Sequence, residues 1–190
     1  METLTNRVWN RLAEVDSLTF VSRSSASSST GWVGEAAGQV AVRRESVDCM
    51  LFVESGSWRT PEGRSFDFTN TYRWCRDGDS IRLEHLRFGA DRPVYLFDLI
   101  PDGADRMTSR DPHVCSEDLY TANLQLADDI LIAWTVVGPK LNERIEYCYR
   151  NKNQEANKTV VATAGNVLLS LRSGSPTSAV PPHLTFRSSP

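Results

Sequence analysis

The chain lacks any apolar run near the roughly 20 residues that a membrane-spanning helix needs. It also lacks an excess of basic residues, because its formal net charge is −3 and its pI is about 5.6. A nucleic-acid-binding protein normally carries a basic stripe, and a protein held on an anionic membrane carries a polybasic block. We therefore expect no nucleic-acid partner and no membrane span.

The N-terminal segment has no apolar signal core. It contains Glu2, Glu14 and Asp16 within its first sixteen residues, which also disfavours an acid-poor transit peptide. These features predict a cytoplasmic protein.

Cysteine is scarce, and its spacing shows no metal-binding pattern. Cys49, Cys75, Cys115 and Cys148 are far apart, whereas a zinc site usually supplies at least one close pair of ligands. Buried, reduced thiols are typical of cytoplasmic proteins. We therefore predict four reduced cysteines, no bound metal and no cofactor.

Common catalytic motifs are also missing from the sequence. There is no G-x-S-x-G, no P-loop, no G-x-G-x-x-G and no H-E-x-x-H. Each of these motifs would mark a large enzyme class, so their absence leaves any catalysis to less familiar groupings of residues.

What the sequence does contain is a long series of alternating segments. In FDFTNTYRWC, residues 66–75, aromatic side chains alternate with polar ones, which is the period-2 signature of a half-buried strand. Asp77-Gly78-Asp79 then predicts a hairpin turn, and a change of phase near His85 predicts a β-bulge. The other predicted strands are 18–23, 33–44, 48–55, 80–88, 93–100, 118–127, 129–137 and 143–150.

Outside these strands, only residues 4–15 have helical spacing, with Thr5 or Asn6 as the expected cap. We predict an all-β fold: a closed, mostly antiparallel barrel of about nine or ten strands with an N-terminal helix. Residues 1–172 form one domain in this interpretation. Residues 159–171 form a last strand or short helix, and residues 173–190 form a flexible or loosely docked tail.

Reactive side chains concentrate between residues 112 and 120. His113 and Cys115 are two residues apart, and Asp118 and Tyr120 follow. A Cys–His pair can supply a thiolate nucleophile, and His with Asp can supply a general base. A loop-to-strand corner in which His113 and Asp118 bond the backbone accounts for the same residues.

A second group of candidate residues lies on the later strands. Trp134 and Tyr120 each combine an apolar ring with a polar atom, which suits a ligand pocket. Arg150 could meet a carboxylate inside the barrel or lie on its outside. We predict that His113, Trp134 and Arg150 converge on one cavity. The candidate ligand-binding residues are His113, Cys115, Asp118, Tyr120, Trp134, Lys140, Tyr149, Arg150 and Tyr72.

The order of these motifs resembles the uncharacterised DUF6314 family from about Val8 to Arg150. The matching positions are His113, Cys115, Asp118 and Tyr120, then Trp134, Val136, Gly138, Pro139 and Lys140, then Tyr147, Tyr149 and Arg150, with weaker matches at Gly34, Gly38, Glu54, Gly56, Tyr72 and Trp74. The chain departs from the pattern at Phe97-Asp98-Leu99, where the family shows a histidine. The resemblance implies a calycin-like barrel, similar to lipocalins and fatty-acid-binding proteins, and it implies no activity.

Three functions fit this sequence. The first is a cytoplasmic protein that binds a small, largely apolar molecule in the barrel cavity, oriented by residues 113–120 and 134–150. The second is an enzyme acting on such a molecule, with His113 as acid or base and Asp118 or Arg150 orienting it. The third is a protein-interaction module with a filled core. The sequence leaves the ligand and the oligomeric state open.

Overall fold

The computed structural model describes residues 2–25, 28, 33–151 and 185–187. This part of the chain forms one helix and twelve strands. In chain order they are α1 (Leu4–Leu12), β1 (Ser17–Ser24), β2 (Gly34–Arg44), β3 (Cys49–Arg59), β4 (Ser65–Asp77), β5 (Ser80–His85), β6 (Val94–Pro101), β7 (Arg106–Ser109), β8 (His113–Cys115), β9 (Asp118–Leu126), β10 (Ile130–Val137), β11 (Asn142–Arg150) and β12 (Thr185–Arg187).

Ten of these strands form a closed antiparallel barrel, as the sequence predicted. Neighbours pair in the order β1 to β7, then β9, β10 and β11, and β11 returns to pair with β1. The pairing of β11 with β1 closes the ring. The two remaining strands are three residues long and add to the wall: β8 pairs with β9, and β12 pairs with β4.

The core lies inside the barrel because apolar side chains alternate along the strands. On β10, Ile130, Ile132, Trp134 and Val136 are buried, while the residues between them are half-buried or exposed. The predicted bulge is confirmed: the pairing of β5 with β6 shifts register between Leu83 and Glu84. The extra residue at the shift is Leu96 on β6, and on β5 the inward alternation continues from Ile81 and Leu83 to His85.

Helix α1 covers one end of the barrel. Leu4, Val8, Trp9 and Leu12 are buried, and the Thr5 hydroxyl donates to the carbonyl of Asp79, 2.9 Å away, in the β4–β5 turn. The helix begins at Leu4 rather than after Thr5 or Asn6, because the Thr3 side chain accepts a hydrogen bond from the Asn6 N–H. The helix end of the barrel is therefore closed, and we call the opposite end the mouth.

The prediction of four reduced cysteines is wrong. Strands β3 and β4 pair so that Cys49 lies directly opposite Cys75, with their Cα atoms 4.2 Å apart, and the two form a disulfide. A separation of 26 residues in sequence hides this contact, because only the hairpin register brings the two thiols together. Cys115 and Cys148 are not part of this disulfide, and the Cys148 thiol lies 3.5 Å from the Asp129 Oδ2.

Several sequence predictions concern residues outside this description. The expected last strand or helix at 159–171 lies outside the described residues, and so does most of the expected tail at 173–190. Within that tail, the described residues 185–187 form β12. No helix in the described ranges is long and apolar enough to span a membrane.

Candidate functional site

A buried carboxyl group lies inside the barrel at Glu54 on β3. Tyr149 donates a hydrogen bond to its Oε1 at 2.6 Å, and the Asn70 amide donates to its Oε2 at 3.3 Å. Burial raises the pKa of Glu54 to about 7, although both hydrogen bonds act in the opposite direction. Both partners are neutral, so Glu54 gains and loses its proton close to neutral pH.

Two further tyrosines, Tyr72 and Tyr147, lie close to this carboxyl group. Burial, together with the nearby charge of Glu54, raises the pKa of Tyr72 well above its ordinary value. Burial has the same effect on the pKa of Tyr147, and its ring stacks on that of Tyr149 with centroids 5.7 Å apart. These hydroxyls therefore keep their protons and act as neutral hydrogen-bonding groups.

An aromatic layer fills the middle of the barrel. In the ring of ten strands, β4 and β10 are five strands apart in either direction, so they face each other across the interior. Their side chains Tyr72 and Trp134 nevertheless have ring centroids only 6.0 Å apart, and Phe97 packs edge-on against Trp134 at 5.4 Å. A ligand inside the barrel must therefore lie to one side of this layer.

Beside Tyr72, its direct partner on β4, lies a buried histidine whose ring nitrogens have no hydrogen-bond partner within the described structure. His85 is 1% exposed, its ring stacks on Tyr72 with centroids 4.9 Å apart, and neither ring nitrogen makes a hydrogen bond within the described structure. Burial, with a smaller effect from the positive charge of Arg87, lowers the pKa of His85 to about 4. The ring is thus neutral at pH 7, with one donor and one acceptor unused.

Two more buried polar residues, Tyr120 and Glu143, lie on the wall formed by β9, β10 and β11. Tyr120 and Glu143 both pair with Val136, one inward-facing row above Trp134, and both are buried. Burial is the main cause that raises the pKa of Tyr120, and the charge of Glu143 adds to it. We define the mouth site as His85, Tyr120 and Glu143, with Tyr72 and Trp134 as its floor.

The structure divides the predicted site residues between the inside and the outside of the barrel. Four are buried inside: Tyr72, Tyr120, Trp134 and Tyr149. His113 is half-buried at the rim, where its ring contacts Tyr120 with centroids 5.8 Å apart. Burial lowers the pKa of His113. Cys115 and Lys140 are exposed.

Arg150 does not join His113 and Trp134, so the predicted convergence of these three is not found. Alternation along β11 places Tyr149 inside, and Arg150 therefore points outward. There its guanidinium pairs with Asp129 at 3.3 Å and donates to the Thr19 hydroxyl at 3.4 Å. Arg150 belongs to the outer wall.

Asp118 and Gly138, two positions of the family-like motif, meet in the structure. A Cβ atom on Gly138 would lie 1.8 Å from the Asp118 Oδ1, so only glycine fits here while Asp118 keeps its position. This contact joins the start of β9 to the turn after β10. The two residues are therefore close neighbours at the rim.

Sequence reasoning missed Asn70, His85 and Glu143 as interior polar residues, and it noted Glu54 only as a family-like position and not as a site residue. The alternation of inward and outward residues along the strands already indicated that such residues face the interior. Glu54 is two residues from the buried Phe52, and Asn70 lies between the buried Phe68 and Tyr72. A polar residue in an inward-facing position is the pattern that identifies such groups.

A separate concave surface lies on the outer face of β1, β2 and β3. It is a groove of about 530 Å³, and Thr19, Ala37, Ser57 and Arg59 are among the residues that line it. These side chains are small or surface-directed, and the groove has no contact with the mouth site. Among the described residues, no three His, Cys, Asp or Glu side chains gather where a metal ion could bind.

Comparison with known proteins identifies the family but no activity. No curated protein and no solved structure matches the chain significantly. Residues 19–151, which include nine barrel strands, most of β1 and every residue of the mouth site, match the model of DUF6314, a family of unknown function. The chain therefore belongs to the DUF6314 family.

Proposed function

We propose that this protein binds a small, largely apolar molecule at the mouth site, above the aromatic layer. The observation that carries the proposal is His85, a fully buried imidazole whose two nitrogens have no partner in the described structure. Buried polar groups in proteins are nearly always hydrogen-bonded, to protein, water or ligand. A bound molecule that hydrogen-bonds His85 would satisfy this group.

The side chains around His85 indicate the chemical class of the ligand. Aromatic rings form the floor, so most of the ligand surface is apolar. No Lys or Arg is among the buried residues that the structure describes, so an anionic ligand head would have no buried counter-ion. The best fit is a neutral molecule with one or two hydrogen-bonding groups, held as calycin-like barrels hold theirs, in a cytoplasmic protein.

Fluorescence titration tests this proposal with a matched pair of probes, 11-(dansylamino)undecanoic acid and its methyl ester. We expect the neutral ester to bind with higher affinity than the acid, because only the acid brings an unpaired charge. His85→Phe keeps the stacked ring and removes both nitrogens. It should weaken binding of the ester about tenfold, which corresponds to the loss of one or two hydrogen bonds.

The control variant is Trp74→Phe. Trp74 is buried on β4, two residues further toward the helix end than Tyr72, and its ring nitrogen also lacks a hydrogen-bond partner. The variant thus removes a buried ring nitrogen below the aromatic layer and should leave probe binding unchanged. If both variants weaken binding of the ester equally, or if His85→Phe fails to fold, His85 has a structural role and does not bind the ligand.

A protein-interaction module with a filled core is the second candidate. The contact of Tyr72 with Trp134 across the barrel favours it, because it fills space that a ligand would otherwise occupy. Saturable binding of the ester would argue against this candidate, and absence of binding to either probe would favour it.

A further inference from the structure

The barrel wall parts between β6 and β8 at the mouth end. On the side of β6 that faces β7, residues 99–101 are paired, and the Arg110 N–H donates one further hydrogen bond to the Asp98 carbonyl at 2.8 Å. In the described part of the chain, β8 pairs with β9 alone, so no strand joins residues 94–97 to residues 113–115. We call this gap between residues 94–97 and 113–115 the seam.

An ion cluster fixes the end of the seam that is farther from the mouth. The Asp98 carboxylate bonds the Arg82 guanidinium at 2.9 Å, and the Arg110 guanidinium lies 3.7 Å from its other oxygen. Asp98 is only 8% exposed, so the two cations balance a nearly buried charge. The seam therefore begins at a fixed point of the wall and runs from there to the mouth.

The ring of His113 lies in the seam. His113 is the direct partner of Tyr120 on β9, so the two side chains share the inner face, and their ring centroids are 5.8 Å apart. The same ring contacts Tyr95, with centroids 6.2 Å apart. Tyr95 belongs to the outer face, where it is 40% exposed and has the Arg82 guanidinium 5.5 Å from its ring centroid. His113 thus connects the mouth site, through Tyr120, with the outside of the wall.

Cys115 lies at the mouth end of the seam. Its side chain is exposed, and Val114, between Cys115 and His113, is 62% exposed, so the outside of β8 is open to solvent. Burial is the main cause that raises the pKa of Tyr120, and the charge of the Cys115 thiolate adds to it, so the thiol lies near the Tyr120 hydroxyl. Cys115 is therefore a native reporter of what occupies the seam.

We infer that the mouth site continues through the seam, so that one end of a bound molecule leaves the barrel beside His113. The inference rests on the proposed binding function, and it defines the ligand as an elongated amphiphile with a neutral polar head. Because the aromatic layer fills the middle of the barrel, a long molecule cannot extend toward the helix end. Its apolar part lies against Tyr120 and the aromatic floor, and its head lies outside, where the His113 imidazole and the Tyr95 hydroxyl can bond it.

Two esters of decanoic acid that differ only in their heads test this inference. Methyl decanoate has a small head, whereas tetraethylene glycol monodecanoate has a long neutral one, and each competes with the dansyl methyl ester in a fluorescence titration. A head outside the wall can have any length, so the two Kd values should agree within about threefold. Binding of the glycol ester that is weaker by about tenfold or more would show an enclosed site and would overturn the inference.

Alkylation of Cys115 shows whether the head leaves by the seam. The Cys148→Ser variant keeps Cys115 as its only thiol outside the disulfide. Saturation with the glycol ester should slow the reaction of Cys115 with N-ethylmaleimide by about tenfold or more, because the head covers the thiol, and methyl decanoate should slow it much less. Unchanged alkylation in the protein saturated with the glycol ester would overturn the inference.

The matched control places the reporter on the opposite wall. It carries Ser57→Cys together with Cys115→Ser and Cys148→Ser. Ser57 is exposed near the mouth end of β3, which is five strands from β9 in the ring of ten. Its alkylation should not change when the glycol ester binds. Equal slowing at both positions would mean that the head covers the rim without using the seam, which contradicts the inference.

The dansyl methyl ester separates failure of this inference from failure of the proposed function. If this ester does not bind the parent protein, the proposed function fails, and the inference fails with it. If it binds but the glycol ester neither displaces it nor protects Cys115, the binding function stands, and only the extension of the site through the seam is wrong.

Discussion

At the scale of single residues, the interior is unusual because its buried carboxyl group has only neutral partners. Glu54 bonds Tyr149 and Asn70, and no cation among the described residues is buried with it. Burying an acid without a positive charge favours the protonated form, which accounts for its raised pKa of about 7. The group therefore couples folding stability to pH.

The pKa of Glu54 predicts the direction of this coupling. Above its ordinary pKa of 4.5 the carboxyl group ionises in the unfolded chain, but in the folded protein it stays protonated until about pH 7. Its contribution to stability is therefore fully present below pH 4.5, falls between pH 4.5 and 7, and is constant above that. The fall is of order 3 kcal/mol at most.

Urea unfolding at pH 4.5, 6 and 8 measures this effect. Glu54→Gln keeps the side-chain size and a carbonyl that can accept from Tyr149, but it cannot ionise. Between pH 4.5 and 7 the unfolding free energy of the parent should fall partly because Glu54 ionises. In the variant this contribution is absent, so its unfolding free energy should fall less over the same range. The same decrease in parent and variant would show that Glu54 does not titrate with a raised pKa.

At the rim, Gly138 gives a second prediction at the residue scale. Gly138→Ala places a methyl group against the Asp118 carboxylate, and the resulting overpacking should lower stability by about 1–2 kcal/mol. Asp118→Ala should relieve the clash, so the double variant should be less destabilised than the sum of the single ones. Additive losses in thermal or urea unfolding would mean that the two residues do not interact.

At the scale of elements, alternation was enough to predict most of the barrel. All nine predicted strands exist, and their bounds lie within a few residues of those observed. Strands β7 and β8 were not predicted, because RMTS and HVC are too short to show a period of two. Their pairing with β9 depends on the closed ring rather than on their own residues.

Long-range register explains the site residues that sequence reasoning misplaced or missed. The sequence did not decide whether the Arg150 side chain points into the barrel or out of it. Because Tyr149 points inward, its neighbour Arg150 points outward. The sequence suggested a change of phase near His85, but on β5 His85 keeps the inward alternation of Ile81 and Leu83, and the extra residue of the register shift is Leu96 on β6. A pattern within one strand gives the spacing of side chains, whereas the face that points inward depends on the neighbouring strands.

The disulfide between β3 and β4 gives a prediction at this scale. Without reductant, alkylation of the unfolded chain should label Cys115 and Cys148 only, and reduction should add two further labels, as intact mass would show. Replacing Cys49 and Cys75 with alanine should lower stability by about 2–4 kcal/mol. Four labels without reduction would contradict the bond and would agree with the original expectation for a reducing compartment.

At the scale of the whole molecule, the barrel combines a closed end, a filled middle and a polar mouth. Helix α1 covers one end, and Tyr72 and Trp134 meet across the centre. On the side away from the helix, the buried polar residues Tyr120 and Glu143 lie one inward-facing row beyond Trp134. This arrangement is the reason for locating a ligand there rather than deeper in the barrel.

The central claim is that a ligand contacts His85, and NMR of the histidine rings tests it most directly. The chain has only three histidines, so the signals of a histidine-labelled sample are few, and His85→Phe identifies that of His85. Titration with the dansyl methyl ester should shift the His85 ring resonances in parallel with the rise in probe fluorescence. Saturation of the fluorescence with unshifted His85 resonances would contradict the claim.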